Sequence, residues 1–149
     1  MRRLLVAVVV LVLIGVGLAV RFWGGTASEE RRVLAVIEEG KRLVEEEDYG
    51  RLASVVWPEY SDSFGMTYQT LLYSLRMFFD NVEDVQLDVS RQRLEVAGKH
   101  AEAELVVTFS WRQLGGGRAQ DAVRLRVSFE QRKRRWKILN VDELPLRFD

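Results

Sequence analysis

The side chains in this sequence suited to acid–base or ligand chemistry are few. Tyr60 and Asp62 stand two apart in "EYSDSFGMT", Tyr68 and Tyr73 follow within the next dozen residues, and Trp111 and Asn140 lie in later apolar runs. A phenol beside a carboxylate can hold or pass a proton when an apolar cavity shifts the pKa of either group. An indole and an amide add a ring face and a hydrogen-bonding pair, which suits a small-ligand pocket. Tyr60, Asp62, Tyr68, Tyr73, Trp111 and Asn140 are therefore the candidate ligand-binding residues. Structural duties compete at each: turn chemistry for Tyr60 and Asp62, core or rim packing for the other aromatics, a satisfied buried amide for Asn140. The sole histidine, His100, alternates with core positions and faces away from them. With one histidine and no cysteine, neither a multi-histidine nor a thiolate metal site can form. No catalytic residue, metal or cofactor is assigned.

The elements that would position these residues follow from hydrophobic period. Val33, Ile37, Gly40 and Val44, flanked by Val36 and Leu43, recur at helical spacing from a cap at Thr26 or Ser28 to about Glu47. After "DYG", Leu52, Val55 and Val56 share a face of a second short helix that Trp57-Pro58 ends. "EYSDSFGMT" reads as a loop with its turn at Gly65 and a cap at Thr67, leading to a third helix with Tyr68, Leu72, Leu75 and Phe79 on one stripe, widened by Leu71 and Phe78. The period then changes to two. Val85-Leu87-Val89, Ala101 through Trp111, Val123 through Phe129, and Trp136-Ile138 are four strands joined by hairpin turns at Ala97-Gly98-Lys99, "LGGGRAQ" and "QRKRR". Continued alternation would point Asn140 inward. The expected fold is α+β: three N-terminal helices packed on one side of a twisted four-stranded antiparallel sheet.

Ahead of this domain, Leu4 to Val20 is an uninterrupted apolar run between Arg2-Arg3 and Arg21-Phe22-Trp23. Counted through Trp23 it reaches about 20 residues, enough to cross roughly 30 Å of hydrocarbon. Leu4, Val20 and Trp23 mark the expected anchor, with the indole at the headgroup boundary. A cleaved signal peptide is the alternative, with Gly25-Thr26-Ala27 as the cleavage region. Residues 1–23 are thus a transmembrane anchor or signal segment, 24–28 a linker, and 29–149 the domain. Arg2 and Arg3 place the amino terminus in the cytoplasm and the domain on the extracytoplasmic side of the cytoplasmic membrane, or secreted if cleavage occurs.

The chain carries 22 basic and 22 acidic side chains, and without the three arginines of its first 23 residues the remainder has a net charge of −3. Such a balance argues against a nucleic-acid partner. The run Arg132-Lys133-Arg134-Arg135 is a charged hairpin tip, with anionic headgroups or an acidic partner as its functional readings. The outward sheet face carries Glu102 and Glu104 beside Arg124 and Arg126, a self-complementary mixture suited to a weak homodimer or a protein partner.

The order of elements, with "EEEDYGRLASVV" after the first helix, "YSDSFGMT" into an aromatic third helix and a closing "WKI" strand, resembles the nuclear transport factor 2-like superfamily over about residues 29–143. The resemblance implies a cone-shaped domain. It groups the chain with ketosteroid isomerase, SnoaL-type polyketide cyclases and scytalone dehydratase, whose acids, histidines or tyrosines project into the cone's mouth. Here the corresponding positions, Ala103, Leu105, Val107, Val123, Leu125 and Val127, are aliphatic. Similar domains behind one transmembrane helix occur among assembly factors of type IV secretion systems. The expected function is a membrane-tethered extracytoplasmic interaction or assembly domain. The alternative is a small-molecule-binding or isomerase- or dehydratase-like pocket protein.

Overall fold

The computed structural model of the chain describes residues 27–146. Helix α1 (Ala27–Glu45) buries Val33, Ile37, Gly40, Leu43 and Val44 along one stripe, as the spacing requires. It ends in a reciprocal C-terminal motif: the Glu47 amide donates to the Val44 carbonyl at 2.9 Å and the Asp48 amide to the Leu43 carbonyl at 2.9 Å. Glu47 holds the left-handed position of that motif at φ 58°. Asp48 then caps α2 (Tyr49–Leu52), accepting a hydrogen bond from the Arg51 amide. A 3₁₀ turn (Ala53–Val55) completes the step. Helix α3 (Tyr68–Phe79) starts at a capping box in which Thr67 and Thr70 each bond the other's backbone amide, and it buries Leu71, Leu75 and Phe78.

Five strands form one sheet: β1 (Val56–Asp62), β2 (Val82–Ala97), β3 (His100–Gln113), β4 (Arg118–Arg132) and β5 (Arg135–Leu144). Their order is β1-β5-β4-β3-β2. Strands β2 to β5 are the expected antiparallel meander, and β1 adds a parallel partner to β5. The sheet is therefore five-stranded and mixed, which corrects the four-stranded antiparallel expectation. Val56 opens a strand instead of closing a helix, and Glu59 to Asp62 are strand instead of loop. Pro58 read as a helix stop, yet an edge strand accommodates a residue that cannot donate. Val56 and Tyr60 supply the buried alternation of β1, a pattern too short to outweigh Pro58 and the turn-forming residues around it.

The helices cover one face of the sheet. Ala101, Ala103, Leu105, Val107, Phe109 and Trp111 of β3, with Val123, Leu125, Val127 and Phe129 of β4, join the helix stripes in one core. Burial of this apolar surface is the dominant stabilising contribution. A register shift between Ser128 and Phe129 corrects the reading of Asn140. Phe129 pairs with Ile138 and Ser128 with Asn140, so Leu139 is an extra residue and the alternation of β5 inverts. Val141 takes the buried place, and the Asn140 side chain donates to the Ser61 carbonyl at 3.0 Å on the β1 side. No helix among the described residues is long and apolar enough to cross a membrane. Leu4, Val20 and Trp23 lie outside the described residues.

Candidate functional site

Among the described residues, the side chains between the helices and the sheet form one buried apolar cluster. Trp111 is buried with its ring stacked on Phe109 at 5.1 Å between centroids and meeting Phe78 edge-on at 6.2 Å. Leu105, Val107, Leu125 and Val127 occupy the middle of the sheet behind them and are at most 1 % exposed. Among the described residues no charged residue is buried as a whole, and Tyr60 is a titratable residue of the buried core. Tyr60 lies at the end of β1, 3 % exposed, and its hydroxyl donates to Asp62 Oδ2 at 2.9 Å. Burial first, and then the adjacent Asp62 carboxylate, push this phenol far above its ordinary pKa, so it stays protonated.

Asp62 is occupied on both oxygens. While Oδ2 accepts from Tyr60, Oδ1 accepts the amides of Phe64 and Met66, each at 2.9 Å, which shapes the turn carrying Gly65 at φ 79°. The Tyr60–Asp62 couple that sequence spacing suggested therefore exists and organises the β1–α3 corner. The other candidates do not join it. The Tyr68 hydroxyl reaches toward the Ala53 carbonyl at 3.4 Å, Tyr73 is 66 % exposed on α3, Trp111 lies in the core, and Asn140 is on the outer side of β5.

On the outward sheet face, Glu104 accepts from Arg124 at 3.0 Å and from Arg126 at 3.5 Å, while Arg126 also lies 3.4 Å from Glu102. Although no helix of the described residues covers this face, the Glu104 side chain is only 12 % exposed, because the two long arginines lie across it. Desolvation pushes its carboxyl upward, but the hydrogen bonds and charges of Arg124 and Arg126 outweigh that and hold it below the usual range. The four charges that alternation placed together thus pair within a single chain.

A second polar assembly gathers where α1 begins. Glu29 Oε2 accepts from the Trp136 indole at 2.7 Å and from the Gln131 amide at 3.0 Å, which ties the first turn of α1 to the β4–β5 hairpin. The Gln131 backbone amide donates to the Lys99 carbonyl at 2.8 Å, bringing in the β2–β3 turn. Trp57 of β1 donates its indole N–H to the Glu130 carbonyl at 2.8 Å, and the Arg132 and Lys137 cations lie over its ring, 4.5 and 4.6 Å from the centroid. Arg132 in turn pairs with Glu59 and Glu130. Sequence reading missed this cluster. Trp57 registered only as a helix terminator, and these partners of Trp57 and Glu29 are more than 70 residues away in sequence.

Neither a family model nor a curated protein sequence matches the chain. Many solved structures do match. A conserved protein from Planctomyces limnophilus superposes with a TM-score of 0.74 at 11 % identity, covering 80 % of this chain and 99 % of the other. A nuclear transport factor 2-like superfamily protein from Salmonella enterica gives 0.69 at 15 % identity over 84 % and 96 %. A hexachlorocyclohexane dehydrochlorinase from Novosphingobium barchaimii gives 0.67 at 17 % identity over 79 % and 86 %. The domain therefore has the nuclear transport factor 2-like α+β fold. At these identities the likeness establishes the fold alone.

Proposed function

We propose that this chain is a non-catalytic interaction or assembly module, tethered by the apolar segment Leu4–Val20 to the extracytoplasmic side of a membrane. The observation that carries the non-catalytic reading is the apolar make-up of the buried core among the described residues. Where an enzyme of this fold would need an acid or base with a tuned pKa, the described residues offer aliphatic and aromatic packing and one permanently protonated phenol. The tethering reading is supported by the composition of residues 4–23.

The test uses the full chain. A C-terminal phosphatase fusion should be active and the protein should resist carbonate extraction from membranes. Calorimetry of the detergent-solubilised chain against steroid- and naphthol-sized ring compounds should find no saturable binding. A soluble mature form starting near Ser28 would sink the anchor, leaving a secreted domain after signal-peptide cleavage.

A small-molecule pocket is the second reading, favoured by the dehydrochlorinase among the fold's neighbours and by the Tyr60–Asp62 couple. Saturable binding of one of these compounds, abolished by Tyr60→Phe, would establish it over the interaction module.

A further inference from the structure

We propose that the end of the domain formed by the start of α1 and the β2–β3 and β4–β5 turns rests on an anionic lipid headgroup surface. The proposal rests on the tethering reading for the identity of that surface, but the observations behind it are its own. The hydrogen bonds from Gln131 and Trp136 to Glu29 fix the β4–β5 hairpin beside the first turn of α1. Trp23 precedes Ala27 by four residues, which span at most about 14 Å in any conformation. The hairpin tip therefore cannot be far from wherever the apolar segment resides.

Its chemistry fits anionic lipid. Lys133, Arg134 and Arg135 are exposed and make no ion pair among the described residues, and Lys99 is exposed on the adjoining turn. Glu29, Glu59 and Glu130 are already engaged, by Arg32, Trp136 and Gln131 in the first case and by Arg132 in the other two. Arg132 neutralises only one of Glu59 and Glu130, so the remaining carboxylate and Glu30 offset two of these four cations at most.

Backbone geometry points the same way. Lys133 and Arg134 stand at φ 50° and 64° in a two-residue turn between the paired residues Arg132 and Arg135. That turn favours Asn-Gly, because left-handed backbone presses Cβ on the following carbonyl oxygen, a cost glycine escapes and asparagine offsets by local hydrogen bonding. Glycine does hold the left-handed position in the other hairpin turns, at Gly98 and Gly115. At the β4–β5 tip, charge stands where turn stability alone would select otherwise. Each uncompensated cation near an anionic surface is expected to favour contact about fivefold, so the net two give about 25-fold.

The chain has no cysteine, so single-cysteine variants report position directly. Full-length protein carrying a fluorophore at Ala97→Cys, beside the basic tip, or at Gly117→Cys, at the far end, is reconstituted into vesicles containing a headgroup spin-label quencher. The vesicles are pure phosphatidylcholine or about one-third phosphatidylglycerol. The residue 97 label should be strongly quenched on anionic vesicles and about tenfold less on neutral ones. The effect should vanish at about 1 M salt, where screening reduces the Debye length to about 3 Å. It should also vanish in Lys133→Gln, Arg134→Gln, Arg135→Gln, with near-ultraviolet circular dichroism unchanged. The residue 117 label should stay unquenched throughout. Equal quenching on both lipids, no quenching on either, or indifference to both salt and the triple change overturns the proposal. Carbonate extraction from neutral vesicles tests tethering separately: a chain released there yet quenched on anionic vesicles loses its anchor and keeps its lipid contact.

Discussion

The hairpins joining β3 to β4 and β4 to β5 close opposite ends of one sheet with different residues. At one end Leu114 is followed by Gly115, Gly116 and Gly117, with Gly115 at φ 74° and the Gly116 amide bonded to the Gln113 carbonyl at 2.9 Å. At the other end Lys133 and Arg134 take up positive φ themselves. The glycine turn is built for ease of closure. The basic turn is held by what surrounds it: Trp136 and Gln131 on Glu29, and Arg132 on Trp57, Glu59 and Glu130. A locally unfavourable turn can persist when tertiary contacts over-determine it, and such positions are where a protein retains a residue for its chemistry.

The largest test of this contrast is Trp136→Ala. It removes a buried ring and also the hydrogen bond that ties the basic hairpin to α1, and the expected cost is about 3–5 kcal/mol. Thermal melts should place it among the most damaging single changes. Neutralising Lys133, Arg134 and Arg135 should barely move the melt, since exposed charges contribute little. A domain indifferent to Trp136→Ala would mean the basic end is not held by its surroundings.

Changing the turns directly should give effects of opposite sign. Gly115→Ala meets no atom within 4 Å, so its cost is backbone conformation alone, about 1–2 kcal/mol. Lys133→Asn with Arg134→Gly should stabilise by about 1 kcal/mol while abolishing the anionic-vesicle quenching described above. If that double variant is destabilised, the tip's geometry is not strained and the argument from backbone choice fails.

How far the sequence foretold these ends differs with the range of the interactions. Alternation in β3 and β4 located the core and the outward charges, because burial on one face imposes a period of two along each strand. The hairpin turns were equally legible, being local. Strand β1 was not, since its pairing with β5 joins Val56 to Ile138 and nothing within "VWPEYSD" announces a partner so distant. Asn140 was misread because one extra residue, Leu139, inverts everything beyond it. Of the six pocket candidates, the Tyr60–Asp62 pair meets because it is adjacent in sequence. The cluster around Trp57 depended on long-range topology and could not be assembled from spacing.

The glycine-turn end has its own exceptions in Asp84 at φ 55° and in Glu47, the left-handed residue closing α1. One of its carboxylate oxygens is buried without a hydrogen-bond partner, and burial, then Glu83 and Asp84, push its pKa upward. Glu47→Gly relaxes the backbone and removes an uncompensated charge, so it should stabilise by about 0.5–1 kcal/mol at neutral pH. Denaturant melts at pH 7 decide this, and a loss of stability would mean the side chain contributes packing that outweighs both terms.

Glu104, on the sheet face between the two ends, should show the opposite pH dependence with the smallest effect. Its folded pKa is depressed below the ordinary 4.5, so its pairing with Arg124 and Arg126 contributes stability above that value and loses it as pH falls through the folded pKa. Glu47, with its pKa raised above 4.5, carries a penalty at neutral pH that disappears as pH falls through its own folded pKa. Midpoints measured across the acid range should therefore decline less steeply in Glu104→Gln than in the parent chain. In Glu47→Gln they should decline more steeply, starting from a higher value at neutral pH. A Glu104→Gln profile parallel to the parent's would show that the arginines are held by Glu102 and by packing rather than by this carboxylate. The sheet face would then lose its charged centre as an energetic feature, and the basic end would remain the chain's principal electrostatic asymmetry.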